Sequence, residues 1–435
     1  MIDIDSDLDW APQRGRAQRA VALIAVSLIT MTGAGVAYLH PSFPAFTTDS
    51  STKSSLGHAA YRVAAVDFVD RTAGWVVALE SGDYAVLHTT DAGQTWTRQL
   101  ATPSDGHAQY VRFFDRSVGV FALLGTRPLL HRTSDGGRTW SLLSPDVPGN
   151  VLSWSFVDSD HGWMLVTDPV RGMQSQARLY RTVDGGGLWT DLGPPVSAPD
   201  QVFQIHFSYL TTGWLTSAGA GPYAYKTNDF GATWSRVTLP APPGGWPRVG
   251  QFFVAVQPTS GAGAVASVVY FAPVKGRTGI GGTVRSFPPL TVLGFDGGRP
   301  HTYTYSTLID QLAGGPFAQD QAPNQAQLRT VDNGATWAAI GPPSPNGAIG
   351  YFDAVNSWWV GAGLWSRSRD GGVTWTGPRG IGVIDPVPGS LRVLDRDHAW
   401  LAGSAGSRPV LQSTDDGAAH WRTVALPAIE GLPTP

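Results

Sequence analysis

Seven short segments concentrate the groups that could do chemistry: TTDAGQTW (Thr89 to Trp96), TSDGGRTW (Thr133 to Trp140), TVDGGGLW (Thr182 to Trp189), TNDFGATW (Thr227 to Trp234), TVDNGATW (Thr330 to Trp337), SRDGGVTW (Ser368 to Trp375) and STDDGAAHW (Ser413 to Trp421), the last read as carrying one extra residue. A carboxylate among hydroxyls and glycines suits a general acid or base, a metal loop or a phosphate cradle. Repetition favours another role, because a reaction needs its acid once whereas a turn is needed in every repeat. In that reading Asp91, Asp135, Asp184, Asp229, Asp332, Asp370 and Asp415 accept hydrogen bonds from their own turns, and the glycine two residues on takes a positive φ. Trp96, Trp140, Trp189, Trp234, Trp337, Trp375 and Trp421 then open the following strand and cover apolar surface.

Outside these boxes the catalytic inventory is thin. Glu80 and Glu430 are the chain's two glutamates, so neither a tyrosine–glutamate pair nor a glutamate pair is available to the central repeats. Asp105, Asp168, Asp200, Asp310 and Asp385 lie outside the repeated motifs and keep one enzymatic alternative open, a glycoside hydrolase using two aspartates. His161 and His398 occupy equivalent places in DSDHGW and DRDHAW, and His88 and His131 sit beside boxes, so repetition accounts for them. No HxH or HExxH spacing, serine elbow or phosphate loop occurs. No catalytic residue, metal or cofactor is assigned.

The elements that must hold these turns follow from composition. With 42% hydrophobic and 14% charged residues the chain folds, and Gly 53 and Pro 33 against Met 4 describe many turns and few long helices. A net charge of −3 gives no footprint for a nucleic-acid partner. The absence of cysteine removes disulfides and thiolate sites. Arg14, Arg16 and Arg19 precede an uncharged run, Ala20 to Tyr38, whose helix would span ~28 Å. It reads as a transmembrane or signal-anchor helix over 20–38, with residues 1–19 as a cytoplasmic tail and everything beyond outside the cell membrane; cleavage after Ala37 would instead release a secreted protein. Asp3, Asp5, Asp7 and Asp9 alternate as in a calcium loop, but Leu8 and Arg14 stand where glycine and glutamate are required. Residues 39–57 are a Ser/Thr/Pro-rich spacer.

A second motif alternates with the boxes: DFVDRTAGW, SFVDSDHGW and HFSYLTTGW, with looser forms RFFDRSVGV, YFDAVNSWW and RVLDRDHAW. A degenerate form, FVAVQPTSGAG, sets Gln257 at the aspartate place and Ala262 at the tryptophan place. Apolar run, polar turn, apolar run is a hairpin signature. Twelve of the 17 tryptophans belong to the two motifs, seven in boxes and five at Trp75, Trp163, Trp214, Trp358 and Trp400. One hairpin before each box predicts an all-β fold, a seven-bladed β-propeller of four-stranded antiparallel blades over 58–427 with a tail at 428–435. Eight blades is the alternative, with Leu293 to Tyr303 as a decayed box. The fifth repeat carries an insertion at about 272–327, expected to emerge on the box-free face. It contains Lys275, Arg277, Arg285, Arg299, Tyr303 and Tyr305, an aromatic and cationic set suited to recognition.

The pattern S/T-x-D-x-G-x-T-W resembles the Asp-box, or BNR, repeat found in sialidases, xyloglucan-degrading hydrolases, sortilin-type receptors and the photosystem II assembly factor family. The paired F-V-D-x-x-x-G-W motif is most similar to the last, over about Tyr61 to Pro427. That resemblance implies a non-catalytic propeller that binds a protein partner as an assembly scaffold. The alternative it leaves is an extracytoplasmic carbohydrate-active propeller, sialidase-like or hydrolytic, with a glycan as ligand.

Overall fold

The computed structural model describes the chain from Tyr61 to Ile429, except residues 274–289, residues 305–320 and shorter stretches in the connections. The expected N-terminal tail, membrane helix and spacer lie outside the described residues. Among the described residues no helix is long and apolar enough to cross a membrane.

Each of the first three repeats folds into one antiparallel sheet whose strands follow chain order. They comprise β1 (Arg62–Phe68), β2 (Gly74–Glu80), β3 (Asp83–Thr89) and β4 (Thr97–Pro103); β5 (Gln109–Phe113), β6 (Gly119–Leu123), β7 (Leu129–Thr133) and β8 (Ser141–Leu143); and β9 (Asn150–Phe156), β10 (Gly162–Thr167), β11 (Arg178–Thr182) and β12 (Thr190–Gly193). The fourth repeat, β13 (Gln201–Phe207), β14 (Gly213–Gly219), β15 (Tyr223–Thr227) and β16 (Ser235–Thr238), shares an eight-stranded sheet with the fifth, because the end of β14 bonds to β17 (Phe252–Pro258). The fifth continues through β18 (Ala264–Pro273), β21 (Gln321–Thr330) and β22 (Ala338–Ile340). A hairpin of β19 (Leu290–Asp296) and β20 (Arg299–Thr304) joins the sixth repeat, β23 (Gly347–Tyr351), β24 (Ser357–Gly361), β25 (Leu364–Ser368) and β26 (Arg379–Gly380). In the seventh, β27 (Asp385–Pro386) and β28 (Arg392–Val393) both pair with β29 (Ala399–Ala405), which continues to β30 (Arg408–Thr414) and β31 (Arg422–Ala425).

The sheets stand as in a β-propeller. First strands of consecutive repeats lie beside one another, β1 by β5, β9 by β13 and β13 by β17, and they close through β23, β28 and back to β1. Because each sheet is covered on both faces by its neighbours, second strands are largely buried, and GVFAL of β6 and GWMLVT of β10 are buried at every position. Fourth strands form the rim and are largely exposed, as in SLL of β8 and SRVT of β16.

The contact that spaces the sheets explains the Gly-Trp pair. The Phe ending a first strand lies where a Cβ on the glycine opening the second strand would fall, 2.2 Å from the Phe68 ring at Gly74 and 2.4 Å from the Phe113 ring at Gly119. The same rings stack on the tryptophan of the preceding repeat: Phe113 on Trp75 at 3.4 Å, Phe207 on Trp163 at 3.6 Å, and Phe68 on Trp400 at 4.1 Å between centroids. The last pair joins the first repeat to the seventh. There Arg392 Nη2 faces Asp67 Oδ1 at 2.8 Å, Arg392 Nε donates to Phe68 O at 3.3 Å, and Tyr61 Oη donates to Pro427 O at 2.9 Å. The first and seventh repeats therefore meet through packing and a buried ion pair.

Two sequence expectations need correction. In the fifth repeat Ala264 pairs with Thr330 as Gly74 pairs with Thr89, so Val265 and not Ala262 holds the tryptophan place. Gln257, opposite Val265, is a strand residue equivalent to Asp67 opposite Trp75. The insertion is also shorter than 272–327, because Ala264–Pro273 and Gln321–Thr330 pair along their whole length. What they enclose does not simply form a loop on the box-free face. Strand β19 runs parallel to β23 from Leu290 opposite Gly347, and it lies beside β17 as well, within the layer of first strands. The segment read as a decayed box, Leu293 to Tyr303, is this hairpin.

Candidate functional site

Each box is a closed network. In all seven, the hydroxyl opening the box donates to an aspartate Oδ1 at 2.6–3.1 Å and accepts the backbone N–H four residues later at 2.7–3.1 Å. The same Oδ1 accepts the N–H of the residue four beyond the aspartate at 2.8–2.9 Å. Where that residue is threonine, its hydroxyl donates to Oδ2 at 2.5–2.7 Å. Two successive residues sit in the left-handed region, φ 59–78° then 69–100°, among them Ala92, Phe230 and Asn333 at the first place. This turn aims the first of those N–H groups at the Gly-Trp hairpin of its own repeat, from Ala92 N to Thr72 O at 3.0 Å through Gly417 N to Asp397 O at 3.0 Å.

The seventh box differs from its expected reading. The hydrogen bonds run from Thr414 to Asp416 and from His420 N to Asp416 Oδ1, so Asp416 and not Asp415 is the box aspartate. The box begins at Thr414, has no extra residue, and accommodates Ala418 at the glycine place with φ 69° and His420 at the threonine place. Register decides this, because Thr414 ends β30 opposite Ala399 just as Thr89 ends β3 opposite Gly74.

The electrostatics match a structural carboxylate. The Thr95 hydroxyl holds the Asp91 carboxyl down at about 2, and hydrogen bonds from Thr139, Thr336 and Thr374 do the same for Asp135, Asp332 and Asp370. A carboxylate so placed is a poor base, with its lone pairs taken by its own turn. Hairpin aspartates also accept hydrogen bonds from their own turns: Asp115 Oδ1 from Ser117 N and Val118 N, and Asp395 Oδ1 from Asp397 N, His398 N and His398 Nδ1. His161 likewise meets Asp158 through Nδ1 at 2.9 Å.

Neighbouring repeats also hold the box through its backbone. The carbonyl just after the box aspartate accepts from Gln99 Nε2 at Gly136 (2.7 Å), from Trp163 Nε1 at Phe230 (2.9 Å) and from Lys226 Nζ at Asn333 (2.9 Å). Box tryptophans turn back on the same turn, as Trp96 Nε1 donates to Gly93 O at 3.1 Å.

Of the aspartates outside the motifs, Asp105, Asp168 and Asp310 lie outside the described residues, as does Glu430, and Asp385 is placed by its backbone in β27. Asp200 is 6% exposed and accepts from Tyr225 Oη and, at 2.5 Å, from Arg236 Nη2, while Arg236 Nε reaches Tyr225 Oη at 2.8 Å. Burial beside that carboxylate raises the Tyr225 phenol to about 12, which suits a brace and not a nucleophile. Glu80 ends β2 opposite Asp83, away from the boxes. Among the described residues no group of three or more His, Cys, Asp or Glu could hold a metal.

Of the insertion residues, Lys275, Arg277, Arg285 and Tyr305 lie outside the described residues, and Arg299 and Tyr303 are on β20, a strand beside β28. Sequence reading missed a different surface. At the box end of repeats three to six, Val183, Leu188 (78% exposed), Tyr209, Phe230, Val331 and Val373 are exposed. Tyr209 belongs to the HFSYLTTGW hairpin; for the others the signal was an apolar residue inside a box, with Val183 and Val331 where repeats one and two have Thr90 and Ser134, Val373 where they have Gln94 and Arg138, Leu188 where they have Thr95 and Thr139, and Phe230 where they have Ala92 and Gly136.

No family model matches the chain, and no curated protein does. Among solved structures it is similar to YCF48 bound to a D1 peptide (17% identity, TM-score 0.41, 86% of this chain and 99% of that one) and to YCF48 from Cyanidioschyzon merolae (16%, 0.46, 83% and 97%). It is also similar to a GH74 enzyme of Niastella koreensis (14%, 0.31, 83% and 71%).

Proposed function

We propose that the seven repeats are the blades of one closed propeller, and that it is a protein-binding scaffold held at the outer face of a membrane by the apolar run Ala20 to Tyr38. The observation that carries the reading is the box end of repeats three to six. Large apolar side chains stand exposed there on turns whose carboxylates are consumed internally, a surface suited to a partner and not to a reaction. The seven-blade count rests on one hairpin and one box per repeat, and among the described residues the β19–β20 hairpin joins the sixth sheet as two added strands.

The tether fits this use. Strand β1 begins at the end opposite the boxes, where Tyr61 also meets Pro427, so the chain enters and leaves the ring there. An anchor attached at that end turns the box end away from the bilayer.

The test is site-specific photo-crosslinking of the full chain in its own envelope. A crosslinker at Phe230 should trap a discrete partner, one at Glu80 should not, and Leu188→Ser should weaken the capture. Equal capture from both ends, or hydrolysis of xyloglucan or a sialoside by the purified chain, would overturn the scaffold reading.

A further inference from the structure

The residue before the box hydroxyl is Arg132, Arg181, Lys226, Arg329 or Arg367 in five of the seven repeats. Where the next repeat presents an acceptor, the cation takes it: Arg132 Nη2 donates to Ser159 O at 3.4 Å, and Lys226 Nζ to Asn333 O at 2.9 Å. Beside Arg181 the carbonyl equivalent to Asn333 O is that of Phe230 and is taken by Trp163 Nε1, and Arg132 and Arg181 each leave Nε without a partner; between the fifth and sixth repeats the loss goes further. The carbonyl equivalent to Asn333 O is that of Gly371, and it accepts from Tyr351 Oη at 3.3 Å, a side chain of its own repeat.

Arg329 is thereby left over. It is 8% exposed, its guanidinium carbon lies 5.2 Å from the centroid of the Tyr351 ring, and Nε and Nη2 both lack a hydrogen-bond partner. The nearby Asp353 does not neutralise it by contact, because Oδ1 accepts from Val355 N and Asn356 N, and Oδ2 from Asn356 Nδ2. Asp332 and Asp370 are committed to their boxes. Register puts Gln257, Ser267 and Gln327 on the same face of this sheet as Arg329, and Gln257 Oε1 and Nε2, Ser267 Oγ and Gln327 Oε1 also lack partners. That face packs on the sixth sheet through Val265, Tyr351 and Trp359, and β19 lies beside both first strands at the junction.

A buried guanidinium with no acceptor is unfavourable, and hydrogen-bonded polar neighbours cannot replace a counter-charge. We propose that the junction of the fifth and sixth repeats is a binding site for a carboxylate, held by Arg329. Nε and Nη2 are the two N–H groups on one edge of the guanidinium, whose parallel donors match two carboxylate oxygens. Thr330 begins the box, so the guanidinium stands near the box end, among turns that expose Val331, Val355 and Val373 to 52%, 48% and 54%. Gly371 N donates to Val355 O at 2.7 Å and ties two of these turns together. An apolar body attached to the carboxylate has surface to cover there.

The probes are sodium acetate and sodium butyrate against sodium chloride and sulfate at matched ionic strength, read by thermal melting of the full chain. The wild type should show a saturable rise in melting temperature with acetate and reach saturation at lower concentration with butyrate. Arg329→Met should melt no lower than wild type in chloride and show no carboxylate response, and Arg329→Lys, which keeps the charge and loses the paired donors, should respond weakly. If Arg329→Met does not fold, saturation-transfer NMR of acetate on the wild type reads the same site. Equal responses in wild type and Arg329→Met, no saturable response in the wild type, or tighter saturation by sulfate or chloride would each overturn the assignment.

Discussion

Arg392→Met tests whether the ring is fastened by charge. Arg392 and Asp67 have side chains 3% and 1% exposed, and their ion pair at 2.8 Å joins the last repeat to the first. Asp67 Oδ2 also accepts from Phe113 N at 2.6 Å, so the carboxylate is tied to the second repeat whether or not arginine is present. Removing the guanidinium leaves a buried carboxylate with one backbone donor, a change that costs ~3–5 kcal/mol. At about 2.1 cal/mol/K per residue, a ring of roughly 370 residues has an unfolding entropy near ~0.8 kcal/mol/K, which converts that cost into a drop of about 4–6 °C. Tryptophan fluorescence during thermal unfolding of the full chain is the assay, since Trp400 stacks on Phe68 at this junction. Asp67→Asn combined with Arg392→Met should recover most of the loss, because an amide oxygen still accepts from Phe113 N and no charge remains buried. A single variant within about 1 °C of wild type, or a double variant no better than the single, would refute the reasoning.

The remaining outcomes concern the turns and the sheet spacing. Thr182→Val should cost ~1–3 kcal/mol, because the buried Gly186 N–H loses its 2.9 Å acceptor, whereas Thr182→Ser should be near neutral; equal effects in a melting comparison would remove the hydroxyl from the account. Gly162→Ala should cost ~1–3 kcal/mol, since a Cβ there falls 2.5 Å from the Phe156 ring, and Phe156→Leu in the same chain should recover part of it in denaturant titrations. Stability should fall in two stages on acidification. Burial first, then Arg138 and Arg116, lowers His88 to about 4, and burial lowers His206 to about 3, so the unfolded chain binds protons the native state refuses as pH falls from about 6.5. Below about pH 4, Asp91, Asp135, Asp332 and Asp370, held near 2 by their hydrogen bonds, add a second loss that continues to about pH 2. Melting temperature against pH should show both limbs, and His88→Gln should flatten the upper one.

The seven boxes and the Gly-Trp hairpins were legible because their cause is local. An aspartate hydrogen-bonding to residues within four positions, a pair of left-handed residues and a glycine that clears a phenylalanine need only a few neighbouring residues, and each leaves the same letters in every repeat. Where letters decay, register decides and sequence cannot. Asp415 and Asp416 are both acidic and adjacent, and only the pairing of Thr414 with Ala399 selects between them. Gln257 shows the same limit, since a strand residue and a turn residue three positions apart are told apart only by the strand opposite.

What the sequence by itself determined is the all-β repeat and the structural use of its aspartates, because both arise from interactions over a few residues that recur. What only the tertiary structure decided are relations between distant repeats: the Asp67–Arg392 fastening across the closure, the placing of β19 beside β17 and β23, the gathering of exposed apolar turns at one end, and the loss of Arg329's acceptor to Tyr351. The last turns on which side chain occupies a shared acceptor, since Tyr351 Oη donates to Gly371 O. Contacts between repeats compete for space and hydrogen-bond partners, and a competition between residues far apart in the chain has no local spacing by which to be read.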